Sequence, residues 1–596
     1  MTIRNALAVL LVLQTFSPAG AKPLATDTPV RGWMLLSDSE PDGLATIAAA
    51  KRYDVNHLQL SHEIVHDLRE VKDDTKRDLV SRLTDAAHAA GITEVLVWDH
   101  ALYPLKYYPE EFRTGPEGTI DLDNPKFWDW FKADYRSMLD RVPQVDGIVL
   151  TFIETGARAE RQHSTKLKTN QEKLAAVVDA VADVVCGERK LNLYARTFSY
   201  THEEYNNVIG AVKLFKRPEV RLMMKETPHD FFLTHPNDKY AGTIDRPTLI
   251  EFDAAGEFNG QGIIANTWPQ YVLGRWRDLG SRPRVSGYVA RTDRYGDTRM
   301  VGRPNEVNLW ALKRGAEDRN VTAEQVYDEF IAARYGKAAL PEVKGAMKNA
   351  FDITTSVLYT LGTNVANHSK LDPDPYASSY VLHVSGKWFD PPIAHVGHGV
   401  NREFHYWRDV IDHIAPPHLK DTADRRWNEV PWVREAGWIR PGERMSETFL
   451  RYIVTEKDHG VALAEQSLKL VDGATDELKP EDYDQLHHHF THTLLTARLH
   501  RAVAGAYYGF RVWARGEKYQ TPYTIETTRA GLAQIQEVAL QIRNYPTPPP
   551  TGQWNWKQDA NAAEKIFNWI VKDGWPKETR GVANPMGGMK FPYERT

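Results

Sequence analysis

The chain has 596 residues with 74 basic and 79 acidic side chains, a formal charge of −5, so the excess of positive charge that nucleic-acid binding needs is missing. A single cysteine, Cys186, excludes an internal disulfide, and stability must come from apolar burial, which a chain of this length can supply. The 17 tryptophans and 26 tyrosines are abundant, and aromatic faces suit sugar rings as well as cores.

The first segment, MTIRNALAVLLVLQTFSPAGAKPL, carries an early Arg4, an apolar run from Ala6 to Phe16, and small residues at Ala19 and Ala21. It reads as a signal peptide over residues 1–21, which predicts export to the periplasm or medium. The apolar run is shorter than the ~20 residues of a spanning helix, so no membrane association is expected once the leader is removed.

From residue 31 to about 295 short β-branched and aromatic runs alternate with amphipathic ones. The strand-like runs are RGWMLLSD, VNHLQLSHE, TEVLVWDH, GIVLTFIET, KLNLYARTF, RLMMKETPHD, LIEFDAAGEF and RVSGYVARTD. Between them, LATIAAAKRY, KRDLVSRLTDAAHAA, PKFWDWFKADYRSMLDRV and NQEKLAAVVDAVADVV repeat apolar residues at helical spacing. Alternation of this kind over roughly 250 residues predicts an α/β fold, a (β/α)₈ TIM barrel across residues 22–340. No GxGxxG turn supports a doubly wound sheet. After about residue 300 the strand signal ends, and helical patterns such as SETFLRYIVTEKDHGVALAEQSLKLVDGA and YDQLHHHFTHTLLTARLHRAVAGAYYGFRVWARG predict an α-helical C-terminal domain over 341–596. Residues 366–442 are rich in aromatics, His and Pro without a clear period, as in functional or poorly ordered segments.

Two motifs suggest metals. HEIVH at 62–66 matches the zincin pattern, but that chemistry needs a helix to converge His62 and His66, and here the motif straddles a strand end and a loop. His488 and His492 stand at i,i+4 on a predicted helix with no further ligands nearby, which reads as an ordinary helix face. Neither metal nor organic cofactor is expected.

Glu154, Asp230 and Glu257 close three of the strand-like runs, and a barrel places its site at that rim. Carboxylates converging from separate strands resemble the arrangement of glycoside hydrolysis, with one acid and an opposing base. Arg196 and Lys225 end adjacent strands and predict a pocket for a substrate carboxylate. Trp98, ending the third strand, is a candidate sugar platform, and Arg291 and Asp293, after the eighth, are candidates to complete the pocket.

These segments resemble the xylan α-glucuronidases, glycoside hydrolase family 67. IDLDNPKFWDWFKADYRSMLDRVPQVDGIVLTFIETG is similar to the stretch leading to that family's general acid, LYARTFSY to its WRxFxY strand, KETPHDFF to KNGPLDFQ and IEFDAAGEFNGQG to EFQITQEYLGQ. VGRPNEVNLWALKRGAEDRNVTAEQVYDEF resembles the run that opens its helical domain. The resemblance implies Glu154 as acid, Asp230 and Glu257 on the water side, and Arg196 and Lys225 on the uronate. It implies exo-acting removal of a uronic acid from an acidic polysaccharide or oligosaccharide with inversion, no cofactor, and a homodimer through the helical domain. Departures fall on the pocket wall. With the first strand expected at about residue 31, no room is expected for the family's amino-terminal β domain; Leu150 replaces a Lys, and IETGARA replaces SEGQPGP. A retaining barrel glycosidase with Glu257 as nucleophile is an alternative, although Ile153 stands where such enzymes carry Asn. A non-catalytic binder of acidic glycans is another.

Overall fold

The computed structural model describes residues 29–199, 202–228, 230–296, 298–336, 340–360, 363–364, 366–371, 446–513, 516–546 and 556–573. The leader and residues 372–442 of the irregular segment lie outside the described residues.

Eight parallel strands close a barrel in sequence order: β1 (Val30–Leu35), β2 (His57–Leu60), β3 (Glu94–His100), β4 (Gly147–Thr151), β5 (Asn192–Arg196), β6 (Arg221–Lys225), β7 (Thr248–Phe252) and β8 (Val285–Arg291). β8 returns to β1 with Gly287 opposite Val30, closing the sheet and removing its edges. Both faces of these strands are covered, so they read as nearly unbroken apolar runs.

The helices start where the sequence supplies caps. The α1 helix (Glu40–Ala50) opens with Pro41 in its first turn. In α2 (Asp74–Ala89) the Asp73 carboxylate accepts from the N–H groups of Thr75 and Lys76, and Leu79, Val80, Leu83 and Ala87 form the buried face. Asn124 caps α3 (Pro125–Arg141), and Thr169 with Glu172 makes a capping box for α4 (Asn170–Ala182). The α5 helix (His202–Val212) and α6 (Pro269–Leu279) follow β5 and β7. The expected alternation fails once. The described residues between β6 and β7 hold no α-helix. Pro228, Pro236, Pro247 and Gly242 interrupt that stretch, and Gly242 takes a φ of 70°.

Helices continue after the barrel: α7 (Val307–Glu317), α8 (Ala323–Arg334), α9 (Leu340–Lys348), α10 (Ala350–Val357), α11 (Glu447–Gly473), α12 (Pro480–Trp513), α13 (Pro522–Asn544) and α14 (Gln558–Asn568). Short strand pairs β9 (Tyr359–Thr360) with β10 (Thr363–Asn364), and β11 (Ala366–Asn367) with β12 (Lys370–Leu371), follow α10. The α12 helix lies against the loop after β7, where the Ala265 N–H donates to Thr493 Oγ1 at 2.7 Å. His492 of α12 stacks on Trp556 at 4.3 Å, and His488 Nδ1 meets the Tyr545 hydroxyl at 2.6 Å, so this pair serves helix packing. No described helix is long and apolar enough to cross a membrane.

Inside the barrel, Met34, Leu96, Trp98, Val149, Tyr194, Met223, Leu249 and Val289 form a buried cluster of their own. Side chains alternate along a strand with period two, so the next inward positions toward the carboxyl rim are His100, Thr151, Arg196, Lys225, Glu251 and Arg291. The inner lining changes from apolar to mostly polar and charged within one step of the pleat.

Candidate active site

The strand register brings the charged layer together. Lys225 of β6 pairs with Glu251 of β7 in the ladder, and Glu251 with Val289 of β8, two residues before Arg291. Glu251 has 0% exposure and joins two guanidiniums. It accepts from Arg196 Nε at 2.7 Å and Nη2 at 3.3 Å, and from Arg291 Nη2 at 2.9 Å and Nε at 3.0 Å. Burial would raise its carboxyl, but the charges of Arg196, Arg291 and Lys225 overcome that and hold it down at about 2.

Glu257 lies five residues beyond β7, in a loop rather than at the strand end. Its carboxylate accepts from Arg291 Nη1 at 2.5 Å and Arg294 Nε at 2.7 Å, and meets His368 Nδ1 at 3.1 Å. His368 arrives from the β11–β12 turn, far along the chain, and Ser369 Oγ of the same turn donates to the Glu257 carbonyl at 2.9 Å. Burial opposes ionisation of Glu257, yet Arg294, His368 and Arg291 hold its carboxyl well below the usual range.

Asp230 lies in the loop after β6, buried, and its Oδ1 accepts from Lys225 Nζ at 2.5 Å. The ammonium also sits 3.9 Å from the Phe198 ring and 4.3 Å from that of Phe231. Burial lowers the Lys225 pKa, against the pull of Asp230 in the other direction.

Glu154 follows β4 by three residues and has a side-chain exposure of 32%, whereas Arg196 beside it has 2%. Their closest approach is 3.5 Å, from Arg196 Nη1 to Glu154 Oε2. That buried Nη1 has no hydrogen-bond partner among the described residues. The Arg196 guanidinium also lies over Trp98 at 4.7 Å and Phe198 at 5.2 Å. Among the three expected carboxylates, Glu154 is the one in contact with solvent.

Two expected pocket residues have other work. Trp98 is 1% exposed and donates from Nε1 to Gln59 Oε1 at 2.9 Å. It forms a floor beneath Arg196 rather than an open sugar platform. Asp293 accepts from the Leu36 and Ser37 N–H groups at 2.8 and 3.2 Å, so it braces the exit of β1 against that of β8. Burial pushes its carboxyl up to about 7 against those donors.

Sequence reasoning missed Glu251, Asp253, Arg294 and His368. Glu251 was visible as the one acid inside LIEF, on the inward parity of Leu249. Asp253 accepts from the Gly256 and Glu257 N–H groups at 3.1 and 2.7 Å, closing the turn that aims Glu257, and burial raises it to about 7. His368 lies at the start of the His-rich irregular segment, a signal that names no residue, and only the tertiary fold carries it to the rim.

HEIVH forms a loop after β2 rather than a helix. His66 and His100 stack at 3.8 Å with 16° between ring planes, beside Asp67, and His100 Nδ1 meets the His66 carbonyl at 2.6 Å. Nearly parallel rings do not aim their in-plane lone pairs at one ion, so this trio fits a metal poorly.

No family model matches the chain, and no curated protein does. Among solved structures, the chain is similar to a GH138 enzyme described as targeting pectin rhamnogalacturonan II, with a TM-score of 0.54 and 12% identity over 86% of this chain. That match covers 62% of the GH138 enzyme's chain, so this protein spans less than two thirds of it. A second, a point mutant of Thermobaculum terrenum O-GlcNAc hydrolase, has a TM-score of 0.43 and 8% identity over 91% of this chain and 94% of that one. Likeness to the GH138 enzyme at this identity establishes the barrel fold alone.

Proposed function

We propose that this protein is a glycoside hydrolase acting on acidic glycans, an exo-acting, α-glucuronidase-like enzyme that releases a terminal uronic acid with inversion, outside the cytoplasm. The observation that carries the reading is the pairing of solvent-contacting Glu154 with buried Arg196, whose Nη1 carries an unused N–H beside it. An acid in reach of bulk protons next to a guanidinium that can hold a carboxylate is what removal of a uronic acid needs.

In the proposed reaction Glu154 donates its proton to the glycosidic oxygen as the bond from the anomeric carbon breaks. Water attacks the opposite face of the sugar and passes a proton to Asp230. Glu257 is a poor acceptor for that proton, because two guanidiniums and an imidazole already stabilise its anion. It serves as the fixed counter-charge of Arg291 and Arg294. Inversion requires about 6.5–9.5 Å between acid and base carboxylates, to admit the water.

The polymer follows from trial. Pectin joins xylan and ulvan-type glycans on the panel, since a GH138 enzyme of similar fold is described as targeting pectin rhamnogalacturonan II. Incubation with uronic-acid-capped oligosaccharides from each source should release free uronic acid, and proton NMR of the first product should show the inverted anomer. No release from any member would refute the activity; a retained first anomer would refute inversion alone. Glu154→Gln should cut turnover by about 10²–10⁴-fold while leaving binding in place.

A further inference from the structure

His62 follows β2 by two residues and holds a φ of 50°, a left-handed conformation that non-glycine residues rarely take and that often marks a functional site. Its ring lies 5.2 Å from that of Trp98, covering the tryptophan that floors Arg196, and is only half-buried. The charged groups around it are Arg294, Arg291, Glu257 and Arg196, all members of the rim network. Burial and the nearby guanidiniums keep the imidazole neutral.

The ring nitrogen Nδ1 has a hydrogen-bonding neighbour in Ser61. Ser61 Oγ donates to the Leu35 carbonyl at 3.3 Å and lies 3.0 Å from His62 Nδ1. With its single proton on the Leu35 carbonyl, the serine oxygen accepts an Nδ1–H, and this is the tautomer on which the proposal rests. Nε2 is then left with its lone pair. The charged acceptors of the network, Glu154, Asp230, Glu251 and Glu257, are carboxylates, which would repel an anionic sugar. A neutral nitrogen can take a hydrogen bond from a sugar hydroxyl without that repulsion.

Resting on the reading of the site as a uronate-processing one, we propose that His62 is a substrate-binding residue whose Nε2 accepts a hydrogen bond from a hydroxyl of the uronic acid. The carboxylate is held at Arg196 and the hydroxyl at His62, both above Trp98. This assigns specificity. A sugar lacking that hydroxyl leaves the acceptor unpaired and is discriminated against.

The test uses the full chain and sodium D-glucuronate as probe. Nitrogen-15 NMR of labelled histidine should show His62 protonated at Nδ1, with the Nε2 resonance shifting on addition of glucuronate. His62→Phe keeps a ring against Trp98 and removes the acceptor, and it should raise the glucuronate Kd by about 10-fold to 100-fold, measured well below the Tm of the variant. His62→Gln places an amide near the Nε2 position and should recover most of that loss. A proton found on Nε2, or a Phe variant that binds as the wild type does, overturns the acceptor role alone. A wild type that binds no glucuronate overturns both this role and the uronate reading. If Phe and Gln variants both unfold early, the labelled wild-type spectrum still decides.

Discussion

Replacing Glu251 by Gln tests the centre of the site with almost no change of shape. Glu251 receives four N–H contacts of 2.7–3.3 Å from Arg196 and Arg291 at 0% exposure. Removing one charge from a buried pair typically costs about 3–5 kcal/mol, because the partners are left without compensation. Linkage gives a similar size. A carboxyl held at about 2 when folded, against 4.5 when free, contributes about 3 kcal/mol. The sign follows from the depressed value: this stability is fully present above pH 4.5 and is lost as pH falls toward about 2. Urea unfolding of wild type and Glu251→Gln should therefore differ by about 3–5 kcal/mol at neutral pH, with the gap narrowing below pH 5. Glucuronate affinity should fall as well, since Arg196 loses its brace. Equal midpoints at neutral pH, or a gap that stays constant between about pH 5 and 3, would refute the reasoning.

Glu226 is buried next to Arg275, 3.7 Å away, and burial raises its carboxyl to about 8. The folded state therefore holds its proton more tightly than the unfolded chain, so stability falls as pH rises from 4.5 to about 8, and Glu226→Gln should flatten that decline in a thermal scan series. In the helices, burial lowers His489 and His500 to about 3 and His492 to about 4. Their stability contribution is present above pH 6.5 and lost below it, so circular dichroism should show acid unfolding that His500→Gln or His492→Phe shifts to lower pH. A Cβ at Gly287 would collide with the Val30 carbonyl where β8 closes on β1. Gly287→Ala should destabilise the barrel by about 1–3 kcal/mol or more in urea, and an unchanged midpoint would count against the closure described.

The barrel was legible because parallel strands buried on both faces leave unbroken apolar runs between amphipathic ones. Reading βα pairs failed between β6 and β7, where prolines leave a loop among the described residues. Strand-end position placed Arg196, Lys225 and Arg291 on the inner rim because inward parity is local to each strand. It could not foresee the burial and hydrogen bonds of Trp98 and Asp293, which depend on Gln59 and on β1. Glu257 and Asp230 appeared as strand ends but belong to loops, and what aims Glu257 is Asp253 below it and His368 from beyond the barrel. That last contact joins residues 111 positions apart, and no periodic pattern encodes it.

In the proposed reading the balance of charge at the rim also constrains how an acidic sugar would be recognised. Arg196, Lys225, Arg291 and Arg294 face Glu154, Asp230, Glu251 and Glu257, so the cations are largely neutralised before any ligand arrives. An anionic sugar gains little from long-range attraction to such a cluster. Its recognition has to come from directed N–H groups in a low-dielectric setting, where a single well-aimed guanidinium edge is stronger than in water. Arg196 meets that condition through Nη1, with its other edge fixed by Glu251 and its face on Trp98. In the proposed reaction Glu154 is protonated before bond cleavage and becomes an anion as it gives up that proton. Arg196 Nη1, 3.5 Å from Glu154 Oε2, is placed to stabilise the new carboxylate while its guanidinium holds the sugar. The attraction between Arg196 and Glu154 therefore grows as the bond breaks, which ties it to the transition state rather than to initial binding.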